Sequence, residues 1–409
     1  MSEAELPSIL QLTPLNPDYQ ADPHKLLDPL RAQCPVRKDP VSGSVVLSRY
    51  NDVRAIVSDR SLWRDPINAE EGAMLQRGTA NLQTDQPRAE TISILHLDDP
   101  DHARIRQPLS QALYARVAKF RGEVERIVDE ALDRIPEGEP FDLMSLFCVP
   151  IPIDVIASIL GVDHDRLVEF RAWSEGSILG LNPFRTEEQT AQMEWASAQL
   201  SAYFLKTIAE RRVAPGDDLI SDMVKLQGEG APLSDEELRI NLGALLVGGN
   251  LTTTDLIGNG VYLLLKNPGE LAKLKADPGL INATVEEILR VEGPVDITGR
   301  IASSPLEIGG CPVAPKQSIT TFLRAANHDP EVFEDPHSFN ISRKHKPHVA
   351  FGGGAHICIG APLARLEAQV ALPRLFARFP NLRLAEPDAQ MEWRKLPFFR
   401  GLETLMLVA

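Results

Sequence analysis

One long helical pattern, from Ser234 to Lys266, constrains the fold more than any other feature of the chain. At about 1.5 Å per residue, a helix of about 33 residues spans about 50 Å and crosses a whole domain. Ser234 and Glu237 form a capping box at its start, and Asn267-Pro268 ends it. Residues 243–247 are apolar on every face, so we expect the middle of this helix to be buried.

The rest of the hydrophobic periodicity is also mostly helical, and strand-like runs are few. These runs are Ser44–Leu47, Leu306–Ile308, Ser318–Phe322 and Thr404–Val408. We predict a mainly α fold with a small β portion, in one domain over residues 1–409. The helix-rich core is expected at about 90–290 and 355–380, and the β-rich portion at about 36–50, 300–325 and 390–409.

Composition and charge narrow the class of protein. A formal net charge of −15 argues against nucleic acid or an anionic membrane as the main partner. No segment offers 18 uncharged apolar residues, so we expect a cytoplasmic protein, and we expect it to act as a monomer. The four cysteines are far apart, which disfavours disulfides and a zinc knuckle. Two basic groups, Arg116 to Arg121 and Lys344 to Lys346, are either solvated surface or a docking patch for an acidic partner.

The long helix contains a run of poor helix formers, residues 248–254, of which only Leu251 suits a helix interior. Each glycine costs about 1 kcal/mol relative to alanine, and each threonine some tenths. One explanation is close helix packing, with threonine hydroxyls bonded to carbonyls one turn earlier. The other is a helix weakened beside a ligand, where a freed carbonyl and a hydroxyl hold water. The clustering of so many weak formers favours the second explanation.

Cys358 lies near the end of a glycine-rich loop, residues 351–360, followed by a helical run that contains Pro373, where we expect a kink or an end. A structural cysteine leaves the glycines unexplained. A nucleophile activated by His356 is conceivable, although side chains two residues apart do not readily meet. A metal-bound thiolate is the third interpretation, stabilised by N–H groups turned towards the sulfur and by the helix N-terminus. A single cysteine suits iron held in a porphyrin better than zinc or an iron–sulfur cluster.

Phe351, Gly354, His356, Cys358 and Gly360 resemble, residue for residue, the haem-binding loop of the cytochrome P450 superfamily, the haem-thiolate monooxygenases. The resemblance extends over almost the whole chain, in the family's order. It implies the family's fold, an α-helical prism with haem b between the long central helix and the helix after the cysteine. It also makes Cys358 the axial ligand of the haem iron.

The same resemblance implies roles for residues elsewhere in the chain. A buried ion network that holds the cysteine loop is implied for Glu287, Arg290 and Arg343. Partners of the haem propionates are implied at His102, Arg106, Arg300 and His356. By position in the family fold, the substrate pocket includes Leu245, Val295, Ile297 and Phe398. Arg77, Arg88 and Arg185 are candidate anchors for a substrate carboxylate.

Gly248, Gly249, Asn250 and Thr252 resemble the family's oxygen-binding groove, in which Thr252 would donate a hydrogen bond to the bound oxygen. Leu251 stands where the family usually has an acid, and an aliphatic side chain cannot relay a proton. Asn250, Asp255 or a chain of waters are the alternative routes for the proton.

The resemblance implies a monooxygenase that inserts one oxygen atom from O₂ into a small apolar substrate, by hydroxylation or dealkylation. Nothing in the chain resembles a flavin or nicotinamide fingerprint. Electrons are therefore expected from an acidic ferredoxin and its reductase, docking near Arg116, Lys119, Arg121, Lys344 and Lys346. Because Leu251 replaces the acid, a peroxide-using or non-oxygenating haem-thiolate enzyme is a second hypothesis. A haem-based sensor or carrier is a third.

Overall fold

The computed structural model describes residues 6–77, 86–344 and 347–409, without the side chain of Arg77. Fifteen α-helices lie in these residues. They are α1 (Pro17–Ala21), α2 (His24–Gln33), α3 (Tyr50–Ser58), α4 (Met74–Arg77), α5 (Asp101–Val117), α6 (Arg121–Leu132), α7 (Pro150–Leu160), α8 (Leu167–Ser177), α9 (Glu187–Val213), α10 (Leu219–Gly228), α11 (Asp235–Lys266), α12 (Pro268–Ala276), α13 (Ile281–Glu292), α14 (Leu323–Asn327) and α15 (Ala361–Arg378). No helix in the described ranges is both long and apolar enough to cross a membrane.

The long helix α11 forms the centre of the fold, as the sequence predicts. Its capping box is present, because the Ser234 hydroxyl accepts from the Glu237 N–H at 3.2 Å and the Glu237 carboxylate accepts from the Ser234 N–H at 2.8 Å. Helices α7, α8, α9, α13 and α15 pack around it. A Cβ added at Gly260 would lie 2.9 Å from Cδ1 of Ile288 on α13, so the glycine lets the two helices pack closely.

The β portion is small and lies mainly where the sequence places it. The described strands are β1 (Val36–Lys38), β2 (Val45–Leu47), β3 (Pro140–Asp142), β4 (Ile297–Ile301), β5 (Leu306–Ile308), β6 (Cys311–Val313), β7 (Ser318–Phe322), β8 (Arg383–Leu384) and β9 (Met406–Val408). One sheet has the order β1-β2-β7-β4, with β2 and β7 parallel. A second has the order β3-β9-β8, and β5 and β6 form a hairpin. The strand β3 lies inside the segment predicted as helix-rich.

Helix α15 does not end at Pro373, because it runs without a break to Arg378. A proline inside a helix removes one hydrogen bond and costs about 3 kcal/mol. Leu372, Leu375 and Phe376 beside it are buried in the main hydrophobic core. Burial of such side chains contributes roughly 1.5–3 kcal/mol each, which offsets the cost of the proline.

Candidate active site

A cavity of ≈ 440 Å³ lies between the middle of α11 and the loop that carries Cys358. Thr252 lines it from α11, and Cys358 lines it from the loop. Leu363 and Ala364 extend the lining along the first turns of α15. The two segments that the sequence singles out therefore face one space from different elements.

The glycines of the cysteine loop allow it to pack against the C-terminal end of α3. Gly352 and Gly354 adopt φ values of 68° and 65°, where only glycine is unstrained. A side chain at Gly354 would come within 2.7 Å of the Val57 carbonyl oxygen. The Cys358 N–H donates to the Phe351 carbonyl at 3.0 Å and closes the loop. A Cβ added at Gly360 would lie 3.9 Å from Cys358 Sγ, an ordinary van der Waals contact.

The surroundings of Cys358 act on its thiol in opposite directions. Burial raises the pKa of the thiol, whereas the N–H groups of Gly360 and Ala361 and the charge of Arg106 lower it. Burial, followed by the charge of Arg64, lowers the pKa of His356 to about 2. No described hydrogen bond joins His356 to Cys358, so a thiol nucleophile with this histidine as its base is disfavoured.

The four residues predicted to bind propionates converge at one end of the cavity. Arg106, Arg300 and His356 line it, and His102 lies in an adjoining cleft that shares Arg300 and His356. The ring centroids of His102 and His356 are 4.1 Å apart. His102 Nε2 and His356 Nδ1 are buried without a hydrogen-bond partner. Unpartnered buried nitrogens are costly, so this end of the cavity is built to receive a polar ligand.

The charge at this end selects an anion. The guanidinium of Arg300 is 2% exposed and donates only to backbone carbonyls, those of Gly299, Val57 and Gly353. Among the described residues, no carboxylate pairs with it. Burial lowers the pKa of Arg300 to about 10, because nothing nearby compensates the desolvated charge well.

Two further residues, Arg64 and His96, line the same end of the cavity and were not predicted from the sequence. Burial and the charge of Arg300 lower the pKa of Arg64 to about 9. Asp98 accepts from the backbone N–H of Arg64 at 2.6 Å. A lone arginine in a loop carries no local signal, so only the fold reveals its place.

The three residues predicted to form an ion network, Glu287, Arg290 and Arg343, lie in contact. Glu287 accepts from Arg290 at 2.7 and 2.8 Å and from Arg343 at 3.0 Å. Arg290 also donates to the Asn327 carbonyl at 3.0 Å, and the Asn327 side chain accepts from the Val349 N–H at 2.8 Å. Val349 lies two residues before Phe351, whose carbonyl binds the Cys358 N–H. The network is therefore connected to the cysteine loop by hydrogen bonds.

On α11, features of both explanations for the weak helix formers are present. The helix is continuous, and the Thr252 hydroxyl donates to the Gly248 carbonyl at 2.9 Å. A side chain at Gly249 would contact Ile156 of α7 at 3.0 Å, which is close packing. Gly248, Gly249 and Thr252 nevertheless all line the cavity. The segment combines tight packing on one side with a ligand-facing groove on the other.

Asn250 does not face the cavity, which corrects its place among the predicted groove residues. It is fully buried, and its side-chain oxygen accepts from Arg171 at 2.7 Å. Asp255 is also turned away and forms an ion pair with Arg394. Asn250 lies on the opposite side of the helix from Thr252, because two residues advance about 200° around an α-helix. Asp255 is only about 60° around the helix from Thr252, but its carboxylate is held by Arg394 and does not line the cavity. Among the described residues, no carboxylate lines the cavity.

Leu251 packs in a small apolar cluster with Ile178, Leu396 and Phe399. It is 3% exposed and is not part of the cavity lining, although Ile178 and Phe399 are. The leucine therefore completes a hydrophobic wall at the position where an acid was expected.

The far end of the cavity is apolar. Leu245, Val295, Ile297 and Phe398 all line it. Of the predicted carboxylate anchors, Arg88 pairs with Asp65 at 2.6 Å, and Arg185 donates to the Asn182 carbonyl at 3.2 Å. Neither lines the cavity, and the side chain of Arg77 lies outside the described part of the chain.

The predicted docking patch is only partly available. Arg116 pairs with Asp222 at 2.6 Å and with Asp217 at 3.2 Å, so its charge is already compensated. Lys119 and Lys344 are exposed, and Arg121 is 58% exposed beside Glu125. Lys346 lies outside the described residues.

Comparison with known proteins gives a consistent result. The family model described as Cytochrome P450 matches residues 279–396. Cytochrome P450 107B1 of Saccharopolyspora erythraea is 36% identical over 99% of this chain and 98% of its own length. The 6-deoxyerythronolide B hydroxylase of the same organism is 35% identical over 88% of this chain and 89% of its own. A structure of P450BioI, in complex with an acyl carrier protein ligated to hexadec-9Z-enoic acid, has a TM-score of 0.86 and 31% identity, covering 96% of this chain and 99% of that one.

Proposed function

The chain belongs to the cytochrome P450 family and is a haem monooxygenase, and from that premise we propose that it inserts one oxygen atom into a small, uncharged, apolar substrate with electrons from an external ferredoxin. The observation that carries this proposal is the cavity itself. Cys358 and Thr252 line its two sides, and its far end has no free charge.

The residues present fit haem b, the cofactor of the family. The unpartnered nitrogens of His102 and His356 and the uncompensated charge of Arg300 match the two propionates. Cys358 offers the single protein ligand, and coordination to iron deprotonates a thiol despite its burial. When bound, the haem activates dioxygen with two electrons and two protons, so that one oxygen atom enters the substrate and the other leaves as water.

Residues of the chain determine how that chemistry is supported. The N–H groups of Gly360 and Ala361 stabilise negative charge on the sulfur of Cys358. The Thr252 hydroxyl is held by the Gly248 carbonyl and faces the cavity, where it receives and passes a proton. The apolar wall of Leu245, Val295, Ile297 and Phe398 excludes water and orients the substrate.

The substrate class is testable with a matched pair. The unpaired, positively charged side chains that line the cavity lie at the end that fits the propionates. We therefore expect a neutral ligand to bind better than the corresponding acid. We expect the methyl ester of hexadec-9Z-enoic acid to shift the haem spin state at lower concentration than the acid, with 6-deoxyerythronolide B as a bulkier probe. Turnover under ¹⁸O₂ should add one labelled oxygen atom. Tighter binding of the acid than of its ester would contradict the proposal.

The electron donor is proposed from surface charge. Lys119, Arg121 and Lys344 offer exposed positive charge on an acidic protein, which suits an acidic ferredoxin. Reversing Lys119 and Arg121 to Glu together should raise the KM for ferredoxin and leave peroxide-driven turnover unchanged. Lys206→Glu, an exposed lysine on α9, is the matched control. An unchanged ferredoxin KM in the double variant would remove this docking site.

A second candidate function, direct use of peroxide, is favoured by the absence of any carboxylate among the described lining residues. Peroxide brings both electrons and both protons, so no proton has to be delivered to the cavity from outside. Leu251→Asp should raise electron-driven turnover relative to peroxide-driven turnover, at a cost of about 1–3 kcal/mol in folding free energy for a buried polar group. Leu251→Asn has the same shape but relays no proton. If the ratio of electron-driven to peroxide-driven turnover is equal in both variants and in the wild type, the missing acid does not limit electron-driven turnover.

A further inference from the structure

Three of the nine histidines of the chain lie together outside the active-site cavity. His24 begins α2, His328 directly follows α14, and His337 lies in the loop after it. One ligand nitrogen from each lies within 4.8 Å of the others. The ring centroids are 3.9 Å apart for His24 and His328, 4.7 Å for His24 and His337, and 5.3 Å for His328 and His337.

Two of these rings present free ligand nitrogens. His328 Nδ1 is 3.0 Å from the Arg324 carbonyl oxygen, so Nδ1 carries the proton and Nε2 keeps its lone pair. A backbone carbonyl on the second nitrogen is the usual support of a metal-binding histidine. His24 Nδ1 is buried and has no hydrogen-bond partner.

Asp28 adds a carboxylate to the three rings. Its Oδ2 is 2.7 Å from His337 Nε2, and its Oδ1 is 3.8 Å from His24 Nδ1. Arg31 binds Oδ1 at 2.8 Å, so on metal binding Oδ2 would exchange its contact with His337 for a bond to the ion.

We propose that His24, His328, His337 and Asp28 form a binding site for a divalent transition metal ion of the zinc class. Three imidazoles and one carboxylate suit Zn²⁺, whereas Mg²⁺ and Ca²⁺ prefer oxygen ligands. With bonds of about 2.0–2.1 Å, tetrahedral ligands lie about 3.3 Å apart. His337 is 47% exposed and free to move the short distance required.

A metal here would tie the N-terminal region to the interior of the fold. His328 contacts the Arg324 carbonyl, and the Arg324 side chain pairs with Asp296 at 2.5 Å and with Glu292 at 2.7 Å. His24 and Asp28 lie on α2, about 300 residues earlier in the chain. A four-ligand site without an open position is of the structural kind. Zn²⁺ should therefore raise the unfolding temperature of the protein.

The test is a titration of the chelator-treated, haem-loaded protein with Zn²⁺, followed by calorimetry. We expect one site per chain and a higher unfolding temperature in Zn²⁺. His337→Ala removes an exposed ligand without disturbing the core and should weaken binding by at least about 100-fold, since loss of even an outer-shell partner costs about 10–100-fold. Asp28→Asn should also weaken it.

His164→Ala is the matched control, because this exposed histidine also lies beside a carboxylate, Asp154 at 2.9 Å, but belongs to no group of three possible metal ligands among the described residues. It should bind Zn²⁺ as the wild type does. Wild-type protein that takes up no stoichiometric Zn²⁺, or His337→Ala protein that binds it with unchanged affinity, would overturn the proposal.

Discussion

Thr252 and Thr254 make the same backbone contact in different surroundings. Each hydroxyl donates to the carbonyl four residues earlier at 2.9 Å, but only Thr252 lines the cavity. Thr252→Ala should therefore lower product formed per electron by about 100-fold, the usual scale for a positioned proton-transfer group. Product and peroxide are measured together at fixed electron supply. Thr254→Ala should form as much product per electron as the wild type. An equal loss of product per electron in both variants would mean that Thr252 only stabilises the helix.

Arg64 is the clearest residue-scale addition to the predicted site. Its positive charge is buried beside Arg300, and no carboxylate side chain among the described residues pairs with it. An anionic cofactor would neutralise this charge. Arg64→Leu should speed haem transfer to an excess of an apo acceptor by about tenfold or more, the effect of losing roughly 1.5–3 kcal/mol in a charged hydrogen bond. Arg134→Leu, at an exposed arginine, is the control. Unchanged haem transfer from Arg64→Leu would place the propionates elsewhere.

At the scale of elements, α13 holds the cysteine loop through Glu286 as well as Glu287. Glu286 accepts from Arg365 of α15 at 2.6 Å and from His348 at 3.1 Å. The guanidinium of Arg365 also lies over the ring of Phe351, 4.6 Å from its centroid. Helix, loop and following helix are thus joined at one carboxylate.

The contacts of Glu286 predict that the free energy of unfolding depends on pH. Burial would raise the pKa of Glu286, but hydrogen bonds from His348 and Arg365 lower it from 4.5 to about 2. The folded state then binds fewer protons than the unfolded state, so the stabilisation is complete above pH 4.5 and is lost as the pH falls towards 2. Glu286→Gln should cost on the order of 1–2 kcal/mol at pH 7 after solvent screening.

Urea unfolding at pH 7 and at pH 3 measures this effect, with Glu194→Gln as an exposed control. The difference in the free energy of unfolding between wild type and Glu286→Gln should be smaller at pH 3 than at pH 7. A gap that stays constant or widens would show that the ion pair does not stabilise the fold.

Elements with strong local signals could be predicted, and those that depend on tertiary packing could not. The capping box of Ser234 and the apolar centre of α11 are local, and both hold in the structure. The kink or end predicted at Pro373 is wrong because burial of the core side chains around α15 outweighs the local cost of the proline. The strand β3 pairs with β9, more than 260 residues later in the chain, and three residues carry no pattern that reveals such a partner.

At the scale of the whole molecule, the sequence motifs predict which residues meet at the site, but they do not predict the contacts that each side chain makes there. The sequence places Cys358, Arg300 and the apolar pocket at one cavity, and the structure brings them together. The sequence does not indicate that Asn250 faces Arg171 or that Leu251 completes an apolar wall. Those facts depend on the rotation of α11 against α8, which many distant side chains determine.

The central claim is that Cys358 binds the haem iron as a thiolate. It is tested most directly by the absorption spectrum of the reduced, carbon-monoxide-bound protein. We predict the strongly red-shifted Soret band that only thiolate ligation produces, and its loss in Cys358→Ser but not in Cys148→Ser, a buried cysteine outside the cavity lining. A Soret band at the position typical of imidazole-ligated haem in the wild-type protein would contradict the assignment.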